Sequence, residues 1–134
     1  MGLTVPLLPS WLRWLGVVCV AGALLAASSL PGASLPSAAS WDAPLHLLGY
    51  GGLTTSLAYA TAAGERRLSR RILLVVTTAV LFGAGMELLQ LTISGRRFSS
   101  VDLLANGIGA LLACVWFPLE ARIEYSGRED GQLG

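Results

Sequence analysis

Glu87, Gln90, Arg96, Asp102 and Asn106 crowd into one stretch, MELLQLTISGRRFSSVDLLAN, which joins two long apolar runs. Asp42 and His46 open another apolar run earlier in the chain. These residue types support several kinds of chemistry. A carboxylate beside an imidazole can pass a proton, so His46 and Glu87 are candidate acid–base partners for hydrolysis or group transfer. Arg96 among amides suits a phosphate or carboxylate, because a guanidinium presents a planar fork of donors; such a pocket fits a lipid or cell-wall headgroup. The same groups can instead satisfy one another as a structural knot. Arg96 then bridges Asp102 and Asp42, while Glu87, His46 and Asn106 share hydrogen bonds. A divalent metal among Asp42, His46, Glu87 and Asp102 is the weakest reading. His46 is the single histidine and no HxxxH or CxxC spacing occurs, so no metal and no cofactor is assigned.

Each residue also has a plainer role. Asp42 and Asp102 sit where helix starts favour acids. His46 can be a satisfied core histidine, and Gly107 and Gly109 can be packing positions. What sets the group apart is its apolar surroundings. A charged Asp, Lys or Arg at the centre of a membrane helix costs about 2.5–3.5 kcal/mol on insertion scales.

The elements that must position these residues read as four membrane helices in one all-α bundle, over about 11–30, 42–63, 71–93 and 100–117, followed by a polar, frayed tail over 118–134. Residues 1–10 read as loop. Trp11 and Trp14 suit a headgroup boundary at the start of the first helix. A rival reading makes that helix a cleaved signal peptide, with Arg13, an apolar centre and the small residues Ala26, Ala27 and Ser28. The run PGASLPSAAS over 31–40 is a loop of breakers. Asp42 and Pro44 then supply helix-start chemistry, and Gly64 closes the second helix. Ser94 and Gly95 make the turn after the third helix. Ser99 or Ser100 caps the fourth.

Composition agrees with a membrane protein. The 134 residues are 54% hydrophobic and only 13% charged, with a net charge of +1. Soluble domains are nearer 25% charged. One domain is expected from the length. The missing basic footprint argues against nucleic acid, so the lipid bilayer is the first partner. Cys19 and Cys114 lie in apolar runs and read as small buried hydrophobes. All nine cationic residues are arginines. With four spans, Arg13, the basic loop over 66–71, Arg122 and Arg128 fall on one side, against Arg96 and Arg97 on the other. That asymmetry places both termini in the cytoplasm, the loop over 64–71 solvated on the same side, and the polar stretch at the outer face.

Depth then follows from a rise of about 1.5 Å per residue. His46 lies one turn below Asp42, and Asn106 one turn below Asp102. Glu87 precedes Ile93 by six residues, so it lies roughly 9 Å down. His46, Glu87 and Asn106 therefore share a layer, with Asp42, Gln90, Arg96 and Asp102 above it.

The order of these residues resembles the VanZ-like family of small multi-pass membrane proteins. The matching pattern is Asp42 and His46, then Glu87 and Gln90, then Gly95, Arg96, Phe98, Ser99, Asp102, Asn106 and Gly109, with Tyr50 and the Ser29-Leu30-Pro31 exit from the first helix also similar. It covers about residues 29–113. The resemblance implies a multi-pass protein of the cell envelope. It does not carry over the glycopeptide resistance associated with the founding member. The family usually has Lys after the first Asp, whereas this chain has Ala43. If that Lys helps hold an anionic ligand, binding here is weaker or Arg97 substitutes.

Overall fold

The computed structural model describes residues 3–30, 42–64, 67–95 and 97–126, with only the backbone of Leu3 and Asp42. The expected loop over 31–40 and the side chains of Asp42 and Arg96 lie outside the described residues. Strand β1 (Leu3–Pro6) precedes four long helices: α1 (Ser10–Ser29), α2 (Asp42–Ala60), α3 (Leu68–Gln90) and α4 (Ser100–Leu112). A 3-10 turn (Ala113–Val115) carries α4 into the short α5 (Trp116–Glu120), and β2 (Ile123–Ser126) follows.

By length and composition, α1, α3 and the Ser100–Glu120 segment can each cross a membrane. Their outward surfaces fit that solvent, with Leu73, Leu81, Leu104 and Leu111 all exposed. Leucines facing outward in such numbers would be costly in water but not in hydrocarbon. Helix α2 is long but does not reach the apolarity of the other three. The reason is its place in the fold. It packs against α1, α3 and α4, so much of its surface meets protein rather than lipid. Its two threonine hydroxyls are satisfied locally: Thr54 donates to the Tyr50 carbonyl at 2.8 Å and Thr55 to that of Gly51 at 2.9 Å. Leu45 and Leu48 still face outward.

The tightest approach is between α2 and α4. A side chain on Gly109 would collide with the backbone of Leu47, its carbonyl carbon 3.0 Å away. Only hydrogen fits there, which is how small residues bring membrane helices together. The turn between α3 and α4 rests on Gly95, whose φ of 78° is the left-handed region that glycine enters without a Cβ penalty. Ser99 is the cap of α4; its hydroxyl accepts the Asp102 N–H at 3.1 Å.

The opposite end of the bundle differs from the sequence-based expectation. Neither 1–10 is all loop nor 118–126 a frayed tail, because β1 and β2 pair in parallel, with Val5 opposite Tyr125. Arg13 and Arg71 do not sit in a solvated layer either. Both are buried and serve the end of α2. Arg13 donates to the carbonyls of Ala60 at 2.9 Å and Tyr59 at 3.4 Å. Arg71 donates to the Ala58 carbonyl and to Thr61 Oγ1, and pairs with Glu120 at 2.7 Å. A helix leaves its last four carbonyls unpaired. Two guanidiniums take up that role here, so α2 ends at Ala60 and not at Gly64. The Arg71 guanidinium also lies 5.0 Å from the Phe117 ring centroid.

Candidate functional site

The polar stretch and α2 meet at the end of the bundle where α3 finishes and α4 begins. Glu87 is fully buried, at 0% exposure. Its Oε2 accepts the backbone N–H of Ser99 at 3.1 Å. The carboxylate thus tethers the residue that starts α4. Its other oxygen, Oε1, is buried with no hydrogen-bond partner among the described residues.

His46 sits one turn into α2 and is half-buried. Its Nδ1 meets Asn106 Oδ1 at 2.9 Å. A carbonyl oxygen only accepts, so Nδ1 carries the hydrogen and the Nε2 lone pair is left over. The imidazole stacks against Tyr50, its neighbour one turn along, with centroids 6.1 Å apart and planes 11° off parallel. Asn106 and Tyr50 are each 1% exposed. They fill the space beside Gly83, where an added Cβ would lie 3.0 Å from both Asn106 Nδ2 and the Tyr50 ring.

Asp102, half-buried in the first turn of α4, completes the group. One ligating atom each from His46, Glu87 and Asp102 lie within 4.8 Å of one another. Two ionised carboxylates that close repel by about 3.5 kcal/mol at an effective dielectric near 20.

The structure therefore brings together His46, Glu87, Asp102 and Asn106. Gln90, one turn beyond Glu87, is buried at 2% exposure, and its Nε2 has no partner. Arg97 is exposed. Of the knot envisaged from sequence, the Arg96 bridge to Asp102 and Asp42 lies outside the described residues; in the other half His46 bonds Asn106, and Glu87 bonds the Ser99 backbone. Among the described residues, four buried polar atoms of this group are without partners: the Tyr50 hydroxyl, Glu87 Oε1, Gln90 Nε2 and Asn106 Nδ2. Buried polar groups are nearly always paired.

Tyr50 and Ser99 join the site without having been counted among its candidate residues. A signal for each was present: Tyr50 is four residues from His46 on the same helix face, and Ser99 is the cap position before Asp102. The far end offers cavities of about 290 and 340 Å³ beside Arg71. Arg71 is fully engaged there by Ala58, Thr61 and Glu120, so that end is a clasp rather than a site.

Comparison with known proteins gives no match: no family model, curated protein or solved structure is significantly similar to the chain.

Proposed function

We propose that this chain is a four-span, VanZ-like protein of the cell membrane, with both termini cytoplasmic, whose outward polar end binds the headgroup of a lipid or lipid-linked cell-wall precursor. The observation that carries the reading is the set of unpartnered buried atoms on Tyr50, Glu87, Gln90 and Asn106. A closed structural knot would leave none of them open. A headgroup rich in oxygens and hydroxyls supplies acceptors for the two amides and a donor for Glu87. Arg96, beside the cluster in sequence, suits the phosphate of such a group. The motif order shared with the VanZ-like pattern supports the family assignment, and the exposed leucines of α2 support its crossing the bilayer with the other three.

A second reading is a membrane hydrolase or transferase acting on the same headgroup. It is favoured by His46, Glu87 and Asp102 lying within 4.8 Å of one another, close enough to pass a proton through one bridging water or substrate hydroxyl. Lipid mass spectrometry of the purified protein, wild type against Arg96→Ala, tests the binding reading. A defined lipid species should be retained by the wild type and depleted in the variant. Equal lipid content in both would contradict it.

A further inference from the structure

We infer that His46, Glu87 and Asp102 form a binding site for a divalent transition-metal cation of the Zn²⁺ or Mn²⁺ class. The site rests on the donor set and does not require the headgroup reading. Three observations meet here. The three ligating atoms come from three different helices, α2, α3 and α4, and lie within 4.8 Å of one another. A cation between them would be close enough to touch all three, and would turn the mutual repulsion of two carboxylates into attraction.

Glu87 Oε1 is the second, independent sign. It belongs to a fully buried side chain and has no hydrogen-bond partner among the described residues. A lone carboxylate oxygen in an apolar bundle calls for a positive charge or a proton donor. The other oxygen is fixed by the Ser99 N–H, so the orientation of the carboxylate is set without using Oε1.

The third sign is the support around His46. Metal-bound histidines usually donate their second ring N–H to a carbonyl or carboxylate, which fixes the tautomer. Asn106 Oδ1 does this for His46 Nδ1 at 2.9 Å, and the Tyr50 ring backs the imidazole. One imidazole with two carboxylates favours Zn²⁺ or Mn²⁺ over Mg²⁺ and Ca²⁺, which prefer all-oxygen sites. Three protein ligands also leave a coordination position open, as in catalytic zinc sites.

The test uses the full-length protein in detergent, stripped with a chelator and titrated with Zn²⁺ alone. One equivalent of Zn²⁺ per chain is expected by elemental analysis, unaffected by excess Mg²⁺. Glu87→Gln and Asp102→Asn should each weaken Zn²⁺ binding at least roughly tenfold. The amide of Glu87→Gln still accepts from Ser99, so this variant keeps the α4 tether. Glu124→Gln, an exposed acid at the far end, should bind like the wild type. Zn²⁺ binding equal in all four proteins, or none in any, would overturn the site. Co²⁺ loaded into the wild type gives an answer independent of whether a variant folds. Visible d–d absorption of a four- or five-coordinate centre is expected, and the spectrum of free aqueous Co²⁺ would overturn the proposal.

Discussion

Glu87 Oε2 accepts the backbone N–H of Ser99 at 3.1 Å, so the buried acid of α3 holds the residue that caps α4. One side chain therefore does two things. It closes the α3–α4 turn, and its carboxylate lies beside His46 and Asp102. These roles separate by substitution. Glu87→Gln keeps an oxygen for Ser99 and should melt in detergent within a few degrees of the wild type. Glu87→Leu leaves the Ser99 N–H buried and unpaired, at a cost of about 1–3 kcal/mol. An unchanged melting temperature for Glu87→Leu would show that the tether is not holding the turn.

The α2–α4 contact predicts a sharp contrast between glycines. Gly109→Ala places a methyl against the Leu47 backbone and should destabilise by about 1–3 kcal/mol. Gly16→Ala, with open space around it, should be neutral or slightly stabilising, since alanine is the better helix former. Unfolding of the two variants in mixed micelles measures the difference, and equal stability would refute the tight approach.

Glu120→Leu should be among the more damaging changes at the far end. It strands the Arg71 guanidinium, which is as buried as its partner. Breaking one half of a buried pair costs about 3–5 kcal/mol. Arg71→Met combined with Glu120→Leu should recover much of the loss, because no buried charge remains. A double variant no more stable than Glu120→Leu would count against the pair.

The β1–β2 clasp carries its own pH dependence. Burial, with the charge and hydrogen bond of Glu120 adding to it, pushes the Tyr125 phenol up to about 12. The folded state thus keeps its proton where the unfolded chain, at the ordinary value of 10.0, has lost it. The contribution of this group is full below pH 10 and is lost as pH rises toward 12. Phenolate absorbance of wild type minus Tyr125→Phe should show this late titration. A Tyr125 phenolate forming near pH 10 would contradict its half-buried placement against Glu120.

Much of the site was legible because periodicity and depth are simple. Helix rise alone brought His46, Glu87 and Asn106 to one layer, and the glycine turn and serine cap between α3 and α4 have plain chemical signatures. The far end was not legible in the same way. Arg13 and Arg71 look like ordinary boundary and loop arginines, and nothing local says that both reach the carbonyls at the end of α2. That contact is tertiary, as is the pairing of Val5 with Tyr125 across nearly the whole chain. The low apolarity of α2 is likewise set by its neighbours. A metal among His46, Glu87 and Asp102 is the weakest reading from sequence because donors on three separate helices leave no spacing motif.

The proposed orientation rests on the arginines and is open to a direct check. Cysteine introduced at Ser69 should label only from the cytoplasmic side, and cysteine at the exposed Ser94 only from outside, in a background lacking Cys19 and Cys114. Labelling of Ser69→Cys by an impermeant reagent in intact cells would reverse the topology and take the polar end off the outer face.

Tyr50→Phe tests the headgroup reading most directly, because it removes one unpartnered buried hydroxyl and keeps the ring against His46. If the cluster exists to hold a polar headgroup, the variant should be as stable as the wild type or more so, while the lipid that co-purifies with the wild type is depleted. Melting temperature and lipid mass spectrometry on the same preparations give both numbers. A variant that is less stable yet keeps the full lipid complement would contradict the account, since the hydroxyl would then serve the fold and not the ligand.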